Sequence, residues 1–254
     1  MEPEPVASKR IQIEGVTKYF GDNLVLDDVS LEIEQHEVVC VIGASGSGKS
    51  TILKCVNDLV PIDGGVIKLD GVSVHDPKFG KSELYKRIGI VFQSYNLFPH
   101  MNVVSNITLA PRRVHGISKL ECEANALELL AKFGLDDFAD SYPEQLSGGQ
   151  QQRVAIVRAM ANHPDVLMLD EVTAALDPEL IGDVLGVIRN LKERGLTMII
   201  VTHEMGFARE VADRVCFLDG GKIVEEAPPD QLFSNPSHER TRQFLQRIID
   251  AGRM

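Results

Sequence analysis

The segment that most constrains how this chain of 254 residues can fold is "GASGSGKST", residues 43–51. It follows the unbroken apolar run "EVVCVIG" (37–43) and leads into "STILKCVNDL" (50–59), which resembles a helix in composition. An apolar run of that kind is typical of a parallel strand buried on both faces. The spacing G-x-x-x-x-G-K-[ST], between a strand and a helix, predicts a loop that wraps around phosphate groups.

The residue types in this loop explain why a nucleotide is the expected ligand. Glycines let the backbone approach phosphate oxygens, since a Cβ would obstruct that approach, and the following helix adds unpaired N–H groups. Lys49 would reach the β- and γ-phosphates, and the Ser50 hydroxyl would ligate Mg²⁺. The alternative is a flexible glycine-rich turn, which the strand–loop–helix context disfavours. The residues expected to bind the nucleotide are Gly43, Ala44, Ser45, Gly46, Ser47, Gly48, Lys49, Ser50 and Thr51.

Other apolar runs also end in polar residues. The segments "RIGIVFQ" (87–93), "VLMLDE" (166–171) and "LTMIIVTH" (196–203) predict buried strands. Since they alternate with helical patterns, we expect a largely parallel sheet, whose ligands bind at the carboxyl ends of the strands. The patterns of 11–37 and 64–74 predict an additional antiparallel region. The polar strand-end groups should therefore converge on one site.

Between about 103 and 163 the pattern becomes helical. "KLECEANALELLAKFGL" (119–135) carries Leu120, Ala124, Leu127 and Leu130 at helical spacing, and Gly134 predicts the end of that helix. A second helix should follow "LSGG" (146–149). The small residues of that segment and the Ser147 hydroxyl suggest another anion-binding helix end. By itself the segment could equally be a turn before a helix. One domain needs no second such end on the same phosphate unless a partner chain supplies it.

Composition excludes several classes of protein. The net charge of −11 argues against nucleic acid as the main partner, because a phosphate backbone requires a cationic surface. The cysteines are scattered and form no C-x-x-C pair, so we expect buried thiols rather than zinc ligands or disulfides. We find no signal-peptide pattern and no apolar run near the roughly 18 residues of a membrane span, so we expect a cytosolic protein.

The ordered motifs identify a family. The sequence resembles, over essentially its whole length, the nucleotide-binding subunits of ATP-binding-cassette (ABC) transporters. The matching elements are Phe20 in "KYFG", the loop 43–51, Gln93 in "IVFQ", "LSGGQ" (146–150), "LMLDE" (167–171), "LD" at 176–177 and His203 in "VTHE".

The resemblance implies an α/β P-loop NTPase fold with a mainly parallel sheet, an antiparallel β subdomain and an inserted α-helical subdomain. A single nucleotide-binding domain would span 1–254. The core and the antiparallel β subdomain would occupy about 11–93 and 164–234, the helical subdomain with "LSGGQ" about 94–163, and a C-terminal helix about 235–254.

The resemblance also implies a head-to-tail homodimer that binds two ATP molecules. Each ATP would lie between the phosphate loop of one chain and Ser147, Gly148, Gly149 and Gln150 of the other. Phe20 would stack on adenine, with Tyr19 the weaker candidate and a role as an ordinary core aromatic as the alternative. Ala174 and Asp177 would belong to a loop at the dimer interface.

Carried over residue by residue, the resemblance implies an ATP hydrolase. Asp170 would hold Mg²⁺ through a water, together with Ser50. Because adjacent residues on a strand point to opposite sides, Glu171 would instead face the attacking water, as general base or orienting group. Catalysis would also use Lys49, as well as His203 at the γ-phosphate and Gln93 at Mg²⁺, where it couples the nucleotide to the helical subdomain. Without the family pattern, a solvated turn and a surface histidine would be the simpler interpretations.

Two residues depart from the family pattern. Val172 stands where proline usually follows the glutamate, and Ala174 stands where serine usually precedes "ALD". Valine loosens the turn without removing a catalytic group. The serine hydroxyl would contribute a hydrogen bond worth about 0.5–1.5 kcal/mol net. These departures should affect communication between the two sites more than hydrolysis.

The text around the motifs resembles ATPase subunits of bacterial importers for polar amino acids, for example "NLFPHMNVVSNITLAP" (96–111) and "NPSHERTRQFL" (235–245). The implied partners are two transmembrane permease subunits and, indirectly, an extracytoplasmic solute-binding protein, which would place the chain at the cytoplasmic face of the membrane. Phe98, Pro99 and Met101 are candidates for contact with a permease helix, and local core residues are the alternative. A soluble ABC ATPase acting on DNA or ribosomes is the other hypothesis.

Overall fold

The computed structural model describes residues 9–77, 79–174 and 178–250. Its strands are β1 (Lys9–Phe20), β2 (Asn23–Glu34), β3 (Val38–Ile42), β4 (Gly64–Leu69), β5 (Val72–Ser73), β6 (Ile88–Val91), β7 (Val166–Asp170), β8 (Thr197–Val201), β9 (Arg214–Asp219) and β10 (Lys222–Ala227). Its α-helices are α1 (Lys49–Val56), α2 (Lys81–Arg87), α3 (Val103–Val114), α4 (Lys119–Lys132), α5 (Gly148–Met160), α6 (Pro178–Glu193), α7 (Met205–Val211), α8 (Pro229–Ser234) and α9 (Glu239–Asp250).

The larger sheet has the strand order β10-β9-β3-β8-β7-β6. Its pairs are parallel from β9 to β6, and β10 joins β9 antiparallel. Every residue of β3, β7 and β8 is buried, as expected for strands covered on both faces. The mainly parallel sheet predicted from the apolar runs is confirmed, and the carboxyl ends of β3, β7 and β8 lie side by side.

The smaller sheet is antiparallel, with the strand order β2-β1-β4-β5. Its long strands alternate between buried and exposed residues, so one face packs on the core and the other meets solvent. Strand β3 lies between two hydrophobic clusters. Val39 and Val41 pack with the antiparallel sheet and α1, whereas Val38, Cys40 and Ile42 pack with the helical part of the molecule. This placement holds the loop after β3 at the junction of both layers.

Helices α3, α4 and α5 form the helical insertion. Gly134 ends α4 with φ of +63°, and the Leu135 N–H donates to the Leu130 carbonyl at 2.9 Å, as in a glycine-terminated helix. Of the four residues whose spacing predicted α4, only Leu130 is buried, while Leu120 is 81% exposed. The side of α4 that packs inward carries Cys122, Ala126 and Leu130. The helix was predicted correctly, but its apolar spacing does not mark its buried face.

Helix α9 packs on the larger sheet through Leu245, which is buried, and through Phe244, whose ring stacks on Phe217 with centroids 4.9 Å apart. All four cysteines are buried free thiols, as the sequence predicted. Within the described ranges, we find no helix with the length and apolar character needed to cross a bilayer.

Candidate active site

The phosphate loop connects β3 to α1, and its glycines are required by contacts inside the protein. At Gly43, where φ is +155°, a Cβ would lie 2.2 Å from the Leu218 carbonyl oxygen. At Gly48, where φ is +107°, it would lie 2.9 Å from the Val25 carbonyl oxygen. From the sequence, we expected that a Cβ at these glycines would obstruct the approach of phosphate oxygens. At these two positions the obstruction would come from backbone carbonyls of the neighbouring strands, which pack closely against the loop.

Lys49 is the first residue of α1 and is only 4% exposed. Its ammonium group donates to the carbonyls of Gly43 at 3.1 Å and Ala44 at 3.0 Å, and lies 3.8 Å from the Glu171 carboxylate. Burial lowers the pKa of Lys49, and the Glu171 and Asp170 carboxylates oppose that effect. A cation is thus held at the base of the loop, where it can meet the charge of a polyphosphate.

Ser50 and Asp170 provide a pair of oxygen ligands. Ser50 Oγ donates to Asp170 Oδ1 at 2.8 Å, across the contact between α1 and the end of β7. Burial raises the pKa of the Asp170 carboxyl, the Ser50 hydrogen bond lowers it, and the nearby Glu171 charge raises it. Mg²⁺ is usually held by one or two carboxylates or hydroxyls together with substrate phosphates and water. In the described part of the chain, no group of three His, Cys, Asp or Glu side chains could hold a metal by itself.

Glu171 follows β7 directly but leaves the strand conformation. Its φ is +49°, its N–H donates to the Val201 carbonyl at 2.9 Å, and its carbonyl accepts from the Ala174 N–H at 3.0 Å. Its carboxylate lies 2.8 Å from His203 Nε2. Asp170 and Glu171 therefore contact different partners. The reason is not the alternation of side chains along a strand, as the sequence argument assumed, but the left-handed turn at Glu171.

A cavity of about 430 Å³ lies above the phosphate loop. Half-exposed Phe20 stands at one side, and Lys18 Nζ lies 5.4 Å from the centroid of its ring. Gln93 is exposed and borders the cavity. The sequence did not single out Val25, because it is an ordinary apolar residue of β2. The cavity is lined by Phe20, Val25, Ser45, Gly46, Gly48, Lys49, Ser50, Thr51, Gln93 and Glu171.

The turn before α5 lies apart from this cavity within one chain. Ser147 Oγ accepts from the Gln150 N–H at 3.3 Å, and Gln150 Oε1 accepts from the Ser147 N–H at 2.8 Å. This reciprocal pair is a capping box, which satisfies the first backbone groups of the helix. Gly148 is half-buried and Gly149 is buried. None of these four residues lines the cavity.

The predicted interface loop is described in part. Ala174 is exposed at the end of the turn that begins at Glu171, whereas Val172 is buried in the core. Asp177 lies outside the described residues.

Comparison with known proteins gives one consistent result. A family profile described as "ABC transporter" matches residues 26–174. The chain is 53% identical to a glutamine transport ATP-binding protein of Geobacillus stearothermophilus, over 92% of this chain and 97% of that one. It is 49% identical to a glutamate transport ATP-binding protein of Corynebacterium glutamicum, over 94% and 99%. A solved dimeric ATP-binding cassette bound to ADP and Pi has a TM-score of 0.77 and 35% identity, over 86% of this chain and 98% of that one.

Proposed function

Because the chain belongs to the ABC transporter family, we propose that it is the ATP-hydrolysing subunit of an importer for polar amino acids. The observation that carries the proposal is the group of side chains at the ends of β3, β7 and β8. Lys49, Ser50 and Glu171 line one cavity, where Lys49 contacts the phosphate loop, Ser50 contacts Asp170, and Glu171 contacts His203. The names of the relatives, which concern glutamine and glutamate transport, support the choice of substrate class.

In the proposed reaction, ATP and water give ADP and inorganic phosphate. The phosphate loop and the N-terminus of α1 bind the phosphates, and Lys49 offsets their charge. Glu171 orients the attacking water and accepts its proton, and His203, now bonded to Glu171, contacts the γ-phosphate. Phe20 stacks on the adenine. Ser50, Asp170 and Gln93 would hold Mg²⁺, which when bound would neutralise part of the phosphate charge.

We propose that the working form is a head-to-tail dimer of two copies of this chain. Ser147, Gly148, Gly149 and Gln150 would complete the ATP site of the other copy, and Ala174 and Asp177 would lie in the interface. The separation of the Ser147 turn from the cavity within one chain supports this arrangement. The dimeric form of the similar cassette structure supports it as well.

A second cavity suggests where a membrane partner binds. It has about 600 Å³, is mostly apolar, and extends from Phe92 past Phe98 to α3 and α5. Of the three residues proposed for a permease contact, Phe98 lines it, whereas Pro99 and Met101 do not. We propose that each of two permease subunits inserts one helix into this cavity of one copy of the chain, at the cytoplasmic face of the membrane, with a solute-binding protein as the indirect partner.

The proposal also retains the predicted divisions of the chain, with a helical subdomain at about 94–163 and a C-terminal helix at about 235–254.

The test combines hydrolysis with transport. The purified chain should release phosphate from ATP only with Mg²⁺, and EDTA should stop the release. Reconstituted with its permease subunits and binding protein, the chain should drive ATP-dependent uptake of a radiolabelled polar amino acid into proteoliposomes. Absence of hydrolysis both alone and with these partners would contradict the proposal. Stimulation by DNA or ribosomes, without uptake, would favour the soluble alternative.

A further inference from the structure

The loop after Gln93 has an unusual backbone. Tyr95 and Asn96 have φ of +59° and +53°, so two consecutive residues other than glycine adopt the left-handed conformation. Asparagine tolerates that conformation, but tyrosine rarely adopts it. The local sequence therefore does not favour the observed shape of this loop, residues 93–98, and a contact from elsewhere must hold it.

Two side chains supply such contacts: Asn106 of α3 accepts from the Phe98 N–H at 2.8 Å and donates to the Phe98 carbonyl at 3.1 Å, and Arg158 of α5 bonds the two left-handed residues. Its guanidinium donates through Nη2 to the Tyr95 carbonyl at 2.8 Å and through Nη1 to the Asn96 carbonyl at 2.7 Å. It also lies 6.0 Å from the centroid of the Phe98 ring. A planar guanidinium that bonds two adjacent carbonyls fixes both the position and the orientation of the loop.

The charge of Arg158 makes this contact specific to one arrangement of the loop. Arg158 is half-buried at the edge of the second cavity, and this burial lowers the pKa of its guanidinium. Among the described residues no carboxylate pairs with it, so the hydrogen bonds to Tyr95 and Asn96, with the nearby Phe98 ring, are what compensate the buried charge. Burying a charge is unfavourable unless hydrogen bonds compensate it. The arrangement therefore favours one specific position of the loop relative to α5.

The loop 93–98 and helix α5, which Arg158 joins, lead to the two parts of the proposed ATP site. Gln93, two residues before Tyr95, borders the nucleotide cavity. Helix α5 begins at Gly148, after the Ser147 turn, and Arg158 lies ten residues further along, or about 15 Å at 1.5 Å per residue. A helix of this length moves as a rigid unit, so a displacement of the loop is transmitted to the Ser147 turn.

We propose that Arg158 is a positioning residue that couples occupation of the nucleotide cavity at Gln93 to the placement of Ser147–Gln150 for the second copy. This inference rests on the proposed function, because it assumes that the Ser147 turn completes the ATP site of a partner. It assigns to Arg158 no contact with ATP.

The first experiment compares two arginines of the same helix. Arg158→Lys keeps the charge but cannot bond both carbonyls, whereas Arg153→Lys alters an arginine that donates to the Phe133 carbonyl at 3.3 Å inside the helical insertion. The affinity for ADP reports nucleotide binding by the phosphate loop of one chain. ATP-dependent dimerisation, measured by sedimentation in a Glu171→Gln background, reports the coupling. Arg158→Lys should weaken dimerisation by at least about tenfold and leave ADP affinity within about twofold, while Arg153→Lys should weaken dimerisation clearly less.

The second experiment alters the loop itself at Asn96, which is exposed, so that replacement does not disturb the core. Asn96→Gly retains the left-handed conformation at no steric cost, whereas Asn96→Val opposes it. We expect Asn96→Val to reproduce the Arg158→Lys defect in dimerisation, and Asn96→Gly to resemble the unmodified chain. This pair decides the question even if Arg158→Lys fails to fold.

Two results would overturn the inference. Normal ATP-dependent dimerisation in Arg158→Lys or Asn96→Val would remove the coupling role. An equal loss of ADP affinity, dimerisation and thermal stability would mean that Arg158 only stabilises the fold. Failure of the unmodified chain to hydrolyse ATP would instead reject the proposed function, so the two failures are distinguishable.

Discussion

Helices α1 and α5 both begin at short glycine-containing turns, but only α5 has side chains that cap its first N–H groups. Helix α1 has Gly48 at its N-cap, which provides no side-chain hydrogen bond, and its first residues line the cavity. Helix α5 has Ser147 at its N-cap, and the side chains of Ser147 and Gln150 satisfy its first backbone groups.

This difference fits the proposal that one chain contains two phosphate-binding ends and does not use both on one nucleotide. The N-terminus of α1 has no side-chain cap, and it lies beside Lys49, Asp170 and Glu171, the charged side chains proposed to act in hydrolysis. The α5 end is satisfied within its own turn, and a phosphate that binds there must compete with a cap worth about 0.5–2 kcal/mol. Such competition suits a contact made only when a second copy presents its nucleotide. Substitutions at each helix end, and in the turn after Glu171, test this difference.

The largest effect is expected beside the N-terminus of α1. Glu171→Gln removes the carboxylate that lies 2.8 Å from His203 but leaves the contacts of Lys49 with the loop. Turnover should fall by at least about 100-fold, the scale of a lost general base, while ATP binding persists and dimers accumulate. Phosphate release and sedimentation with ATP measure the two outcomes. Normal turnover would remove Glu171 from its assigned role.

An intermediate effect is expected at the capped end. Ser147→Arg should lower turnover by about tenfold or more, because a bulky side chain blocks the approach of the partner's nucleotide. Mixing it with Glu171→Gln should restore activity above that of either variant, since each mixed dimer contains one site with both parts intact.

The matched control for Ser147 is Ser118, another N-cap serine, whose Oγ accepts from the Glu121 N–H at 3.3 Å in α4. Ser118→Arg should lower stability by about 1 kcal/mol, as Ser147→Arg does, with little loss of turnover. If the mixture shows no gain, or if both serine variants lose turnover equally, the Ser147 turn does not act on the partner's ATP.

The smallest effect is expected where the sequence departs from its family. Val172→Pro combined with Ala174→Ser should change turnover by less than about tenfold, or 1.4 kcal/mol. Proline at 172 would favour an extended backbone at Glu171, whose φ is now +49°. Neither substitution removes a side chain that lines the cavity. Steady-state kinetics is the measurement. A gain of several hundredfold would show that the natural turn impairs the site.

The parts of the site that the sequence predicted are those with a local pattern. The phosphate loop has a fixed spacing, and Asp170 and Gln93 come at the ends of short apolar runs whose length and β-branched residues favour buried strands. The structure brings Lys49, Ser50, Asp170, Glu171 and His203 together as expected, because the carboxyl ends of neighbouring parallel strands share one edge.

Other features have no local pattern. The left-handed turn at Glu171 depends on its hydrogen bond to the Val201 carbonyl of a neighbouring strand. The buried side of α4 depends on how it packs against α3 and α5, which left Leu120 exposed. Neither contact can be inferred from the spacing of apolar residues along one segment.

The sequence by itself determined the family, the parallel sheet and the identity of the groups at the strand ends, since each rests on spacing or on unbroken apolar runs. Only the tertiary structure decided which glycines support the loop and how Arg158 holds it. The acceptors of Arg158 are backbone carbonyls 62 and 63 residues away. Every residue type carries such a carbonyl, so the bond leaves no trace in the sequence and exists only because the fold brings α5 beside the loop.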